Sequence, residues 1–429
     1  MRLRGKGWIH AGLLGAAVAL AGCGELRTKG NPALLRGEAA DAPGPVADLT
    51  HEAEAYADSV VRTLSLRERA GMIFMPAVFA RDDADNLRLI QHYTDSLHVG
   101  GIVLLKGTLP AVAEISERLR ECEAQGRVRP FLAVDAENGL RMRFPDAPEF
   151  PWSRELGRIN DGRLLYEFGV EIARECRVVG IDMVLGPVMD VVPGDAEHGL
   201  MRRRSLGGDP ARVAELAMAY ARGLEDGSVI SVAKHFPGHG SANADSHKAL
   251  GEIRSSREYI DSVDLYPFRR YAEEGLTGVM VGHLSVIALD SLRRPAVVSP
   301  RVMGDVLRGE LGFHGLIITD ALNMEGALGV KGWEAVAAGA DMVIAPTDTR
   351  GEIEAMLRAL DDGRLSVDVL DDRCRRQLFY KFLLNYGGRP GAAPGNVVEE
   401  VGSSQAALMR DSIISALGRH RNSIRQPSR

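Results

Sequence analysis

Eight short apolar runs, set between stretches of helical periodicity, constrain this chain more than any other feature. They are MIFMPAVF near residue 75, GGIVLL at 100, FLAV at 131, DMVLGPV at 182, SVISVA at 228, TGVMVG at 277, GLIIT at 315 and DMVIA at 341. A run that is apolar at nearly every position has no side to turn to water, so it reads as a strand of a parallel sheet covered on both faces. The intervening segments, such as DGRLLYEFGVEIARECRVVG and DPARVAELAMAYARGLEDG, carry apolar residues at helical spacing and close on glycine. Eight strand–helix alternations predict a (β/α)₈ barrel of the TIM type as a single catalytic domain. The alternative, an open doubly wound sheet, lacks support because no G-x-G-x-x-G follows the first run.

The flanking segments are of another kind. Residues 1–22 place Arg2, Arg4 and Lys6 ahead of a short apolar run ending in Leu20-Ala21-Gly22-Cys23. That is the layout of an export signal rather than of a membrane span. The ending looks like a bacterial lipobox, which makes Cys23 the expected lipidated residue and the membrane a partner through that anchor alone. Gly24 in place of aspartate points toward the outer membrane, on the periplasmic side of the envelope. Residues 23–50, rich in Gly, Ala and Pro, read as a tether, 51–387 as the barrel domain, and 388–429 as a linker, an amphipathic helix and a basic tail. The net charge of −6 without a basic stripe leaves a nucleic-acid partner no electrostatic footprint. Cys122, Cys176 and Cys374 show neither a disulfide framework nor zinc spacing and read as small buried residues.

Active sites of such barrels are built where strands end in the C-terminal direction. The residues just past the runs are Asp135, Asp190, Lys234 with His235, His283 and Asp320, so five of the eight runs deliver a titratable side chain to one rim. Each has a plain structural reading as well. Asp320 could cap a following helix, Lys234 and His235 could form rim ion pairs, His283 could be satisfied by a backbone carbonyl, and Asp190 reads as structural. The convergence carries the functional reading.

Several separated motifs then resemble family 3 glycoside hydrolases, in the branch of the bacterial β-N-acetylglucosaminidases, over roughly residues 55 to 387. KHFPGHGSANADSH matches that branch's K-H-F-P-G-H-G followed by D-S-H. GLIITDALNMEGA is similar to the segment bearing the nucleophilic aspartate, AVDAENGLRMRF resembles D-x-E-G-G-x-x-x-R-F, and RRRSLGGDP resembles its R-S-F segment. Asn138 and Leu140 depart from the pattern, which bears on the shape of that loop. The resemblance implies Asp320 as nucleophile, His247 as acid/base with Asp245 as its orienting partner, and Asp135, Arg143, Arg204, Lys234 and His235 as ligands of the sugar. It implies neither a cofactor nor a metal, and a barrel without the second domain of longer members.

The implied chemistry is exo-acting, retaining removal of terminal β-linked N-acetylglucosamine from peptidoglycan- or chitin-type fragments. Asp320 should be ionised, with Lys234 nearby favouring its charge. A histidine with an ordinary pKa near 6.5 can protonate a leaving oxygen and then deprotonate water, and an adjacent aspartate fixes its tautomer. Gly238, Gly240, Ser241 and Ala242 are small enough to let the loop swing, while His239 shapes it. A β-glucosidase-like or phosphorolytic family 3 enzyme keeps the same covalent intermediate. From other classes come a metal-dependent amidohydrolase barrel, which needs an H-x-H pair that the first run lacks, and a noncatalytic sugar-binding envelope lipoprotein.

Overall fold

The structure, a computed structural model, describes residues 45–192, 201–240, 242, 250–327, 329–386 and 396–425. Its strands in chain order are β1 (Phe74–Met75), β2 (Ala77–Ala80), β3 (Gly101–Gly107), β4 (Phe131–Val134), β5 (Met183–Val184), β6 (Ile230–Phe236), β7 (Gly251–Ile253), β8 (Gly278–Val281), β9 (Leu284–Val286), β10 (Leu316–Thr319) and β11 (Val343–Ile344). Seven of them form one parallel sheet in the order β10-β8-β6-β5-β4-β3-β2. β11 joins its free edge through the Ile318–Met342 bridge and pairs with β1. β1 and β2 are one stave interrupted at Pro76, whose carbonyl still accepts from Val103 N–H at 2.9 Å although it has no N–H to give. The sheet therefore closes into eight parallel staves, one for each apolar run.

Alternation along each stave separates two cores. Val103, Phe131, Ala133, Met183, Ile230, Val232, Met280, Leu316, Ile318 and Met342 fill the barrel. Their neighbours Ile102, Leu104, Leu132, Val134, Val184, Val279, Val281 and Ile317 face the surrounding helices. Those helices carry conventional ends: Gly162–Val179 starts at Asp161, whose carboxylate accepts from Leu164 N–H, and stops at Gly180 with φ 79°. Cys122, Cys176 and Cys374 are buried free thiols, and burial pushes those of Cys176 and Cys374 up.

The lower end of the barrel is closed by two helices from outside the alternating region. Pro45–Thr63 packs on Val367–Tyr386, and Leu49, Ala53, Tyr380, Leu383 and Leu384 enter the inner core. The helix starts within the segment expected to be tether, because Leu49 is needed as a plug. At the other terminus, helix Ser404–Arg425 runs through most of the stretch read as a basic tail and lies against Ser153–Ile159 and Gly162–Val179. A short parallel pair, β7 with β9, sits beyond β6 and β8.

Candidate active site at the barrel mouth

The inward register of the strands decides which side chains meet at the mouth. Phe131 and Ala133 point into the barrel, so two residues on Asp135 does too. The same count leads from Ile230 and Val232 to Lys234, and from Leu316 and Ile318 to Asp320. Lys234 is buried, and its ammonium donates to Asp135 Oδ1 at 2.7 Å and stands 2.8 Å from Glu137 Oε1. Arg143 donates to the other oxygen of Asp135. Arg204 grips Glu137 with Nε and Nη2, at 2.7 Å for the shortest contact. The three cations among the expected sugar ligands, Arg143, Arg204 and Lys234, thus hang on two carboxylates, Asp135, itself an expected ligand, and Glu137, which is not among those expected. The signal for it is present in the sequence: Glu137 lies two residues after Asp135 within AVDAENGLRMRF.

Burial alone would raise both acids, but the surrounding cations outweigh it. Lys234 and Arg143 hold Asp135 far below the ordinary carboxylate range, while Lys234 and Arg204 bring Glu137 down to about 2. The cations gain in return: against the pull of burial, both Lys234 and Arg204 bind their protons more tightly than usual. The bonds of the Lys234 ammonium go to Asp135 and Glu137, the rim ion pair that was its plain structural reading. Asp135, Arg143 and Arg204 retain partial exposure above the buried Lys234 and Glu137. The network therefore offers one carboxylate and two guanidinium groups to a polyhydroxylated ligand.

His235 joins through its ring. Its Nδ1 lies 2.7 Å from Asp190 Oδ2 and its Nε2 3.2 Å from Arg204 Nη2. A guanidinium can only donate, so Nε2 accepts and Nδ1 carries the proton toward the carboxylate. Asp190 Oδ1 also accepts from the backbone N–H of His239 at 2.6 Å. With His235 and His239 around it, Asp190 falls to about 2 despite its burial. The plain reading of Asp190 is the one the geometry supports: it orients His235 and the root of the following loop.

That root is packed rather than loose. Gly238 has φ 130°, and a Cβ on Gly240 would come within 1.8 Å of the Val191 carbonyl. These two glycines serve close approach, so any swing of the loop must start beyond Gly240. Asp245 and His247 lie outside the described residues. The loop's return is described: Gly251 pairs with Leu284, next to His283. Asp320 closes the site on β10. Its N–H donates to Val281 O at 2.8 Å, and its Oδ1 accepts from Ala321 N–H at 2.8 Å. His283 donates from Nε2 to the Ala321 carbonyl at 3.0 Å. Burial lowers the proton affinity of both His239 and His283, with Asp320 pulling the other way.

The glycosyl hydrolase family 3 N terminal domain matches residues 65–378. This chain belongs to glycosyl hydrolase family 3. The family 3 chain is 37% identical over 258 residues to a beta-hexosaminidase of Nitrosospira multiformis, a match covering 57% of this chain and 73% of the relative. To a beta-hexosaminidase of Chromobacterium violaceum it is 34% identical over 297 residues, covering 66% and 80%. Among solved structures, a glycoside hydrolase family 3 beta-N-acetylglucosaminidase from Paenibacillus sp. str. FPU-7 superposes with a TM-score of 0.74 at 28% identity, covering 82% of this chain and 69% of that one. The protein is a glycoside hydrolase with a (β/α)₈ barrel.

Proposed function

We propose that this family 3 enzyme removes terminal β-linked N-acetylglucosamine from peptidoglycan- or chitin-type fragments by double displacement. The Asp320 carboxylate attacks the anomeric carbon while His247 gives its proton to the departing oxygen, which leaves a glycosyl ester on Asp320. His247 then takes a proton from water, the water oxygen attacks the same carbon, and the Asp320 carboxylate is released. Asp245 orients His247, and Asp135, Arg143, Arg204, Lys234 and His235 hold the hydroxyls of the sugar from below.

The observation that supports this reading is the inward position of Asp320 at the end of β10, separated by β8 from the partly exposed charge network on β4 and β6. The described histidines also support His247 as the acid. His235 has both ring nitrogens engaged, His283 donates to a carbonyl, and burial disfavours a proton on His239. Three residues separate His247 from Gly251, a reach of at most about 14 Å when fully extended, and the partner strand of Gly251 begins directly after His283. The relatives named beta-hexosaminidase favour an N-acetylhexosamine over glucose.

Asp320→Ala should abolish turnover of every glycoside, as the loss of a nucleophile requires. His247→Ala should lower kcat on unactivated substrates by about 10²–10⁴-fold and far less on nitrophenyl glycosides, whose leaving group needs little protonation. Uniform loss across leaving groups would remove His247 from the acid role. A preference for β-glucoside or β-xyloside over β-N-acetylglucosaminide would overturn the substrate assignment, and a sugar phosphate formed in phosphate buffer would make the enzyme a phosphorylase. We also infer export and lipidation at Cys23. Cys23→Ser should move the protein from the membrane fraction to the soluble one, and unchanged fractionation would refute the anchor.

A further inference from the structure

We propose that His283 is a positioning residue for the nucleophile, acting through the Ala321 peptide to fix the orientation of the Asp320 carboxylate. The proposal rests on the reading of Asp320 as nucleophile.

Three hydrogen bonds form a chain around that residue. Val281 O on β8 accepts from Asp320 N–H, which fixes the backbone entering the residue. Ala321 N–H donates to Asp320 Oδ1 at 2.8 Å, which fixes one carboxylate oxygen. His283 Nε2–H donates to Ala321 O at 3.0 Å, which fixes the backbone leaving the residue. Asp320 is the last inward position of its strand, and beyond it the chain turns away from the barrel. The carbonyl of the residue after it takes a long bond of 3.3 Å from Met324 N–H in the following turn, and His283 supplies the shorter donor from the neighbouring stave. Rotation of Ala321 would swing its N–H off Oδ1 and release the carboxylate to other rotamers, so the donor on His283 acts on the reacting atoms at one remove.

The ring suits a fixed donor rather than a proton carrier. It is fully buried, and its Nδ1 has no hydrogen-bond partner among the described residues. A doubly protonated ring would bury an N–H with nothing there to accept it. The charged groups that face it act in opposite senses, Asp320 favouring and His235 opposing a second proton, and burial outweighs both. His283 is thus a neutral imidazole with its proton on Nε2.

The test compares His283→Gln with His283→Met. The two side chains are close in length and volume, but only glutamine can donate to the Ala321 carbonyl. Because Asp320 acts in both halves of the reaction, His283→Met should lower kcat by about tenfold or more on nitrophenyl and unactivated glycosides alike, with KM within about threefold of wild type, and His283→Gln should recover most of the loss. Dependence of the loss on leaving group, wild-type kcat in the Met variant, or a folded Gln variant as impaired as Met would each overturn the proposal. If the Met variant does not fold, His283→Asn, whose amide stops short of Ala321 O, takes its place under the same criteria. Asp320→Ala measured alongside separates the two readings: an active Asp320→Ala removes the nucleophile assignment, whereas an inactive one beside an unimpaired His283→Met removes only the role of His283.

Discussion

Glu137 shows how much a single buried carboxylate can organise. It holds Arg204 in a two-pronged grip and shares Lys234 with Asp135, so two cations that face the ligand are fixed by one anion beneath them. Replacing it with glutamine would keep the volume and leave Lys234 and Arg204 sharing Asp135. Breaking one side of a buried pair in this way costs about 3 kcal/mol or more, and the same change should weaken sugar binding, read as a raised KM. The pH dependence has a defined sign. Glu137 and Asp190 each sit near about 2 in the folded protein, below their ordinary values, so the unfolded chain binds their protons more readily. Their contribution is complete above the unfolded carboxylate range and disappears as pH falls toward the folded values. Thermal melts should decline gently below the ordinary histidine range, because burial disfavours protonated His239 and His283, and drop steeply below about 4.5, with a shallower steep limb for Glu137→Gln. An unchanged acid limb in that variant would show that Glu137 is not the group responsible.

At the scale of elements, the strands do two jobs with one register. The period-2 alternation that sends Ile318 into the core sends Asp320 into the mouth, so the position of the proposed nucleophile continues the packing pattern. The loop after β6 is different. Its glycines looked like a hinge in sequence, yet Gly240 lies against the Val191 carbonyl, which anchors the loop. Gly240→Ala should therefore cost about 1–3 kcal/mol from overpacking and should lower activity further by displacing the segment that leads to His247. Gly304→Ala is the control, since a Cβ there meets nothing within 4 Å. Equal behaviour of the two variants in melting temperature and kcat would refute the anchoring role.

For the whole molecule, the two ends of the barrel divide the labour. The proposed chemistry sits at the C-terminal mouth, while the opposite end is sealed by Pro45–Thr63 and Val367–Tyr386. Lys381 is the polar centre of that seal. Its ammonium donates to Gly100 O at 2.8 Å and Arg129 O at 2.7 Å and lies 3.8 Å from the centre of the Phe131 ring. Gly100 O keeps a second donor in Phe131 N–H, so among these two carbonyls the Lys381→Met loss falls mainly on that of Arg129. The expected loss is about 1–3 kcal/mol of stability with KM and kcat unchanged, because the site lies at the far end. A shift in either kinetic constant would mean that the two ends are coupled.

The eight staves and the rim residues were legible in the chain itself because both follow local rules. A strand buried on two faces must be a continuous apolar run, and the residue just past it must emerge where the run ends. The helices were legible for the same reason, through apolar spacing and terminal glycines. What the chain could not disclose was who meets whom across long separations. Lys234 and Asp135 lie 99 residues apart, and no periodicity records that the lysine bonds Asp135 and Glu137. Leu49, in a stretch with the composition of a tether, becomes a plug only because the closed barrel presents an open apolar end to it. Asp190, Glu137 and His283 acquired their partners in the same way. Local sequence sets which face each residue turns, but the pairing of charges and the closing of the barrel depend on distances that exist only after the staves have come together.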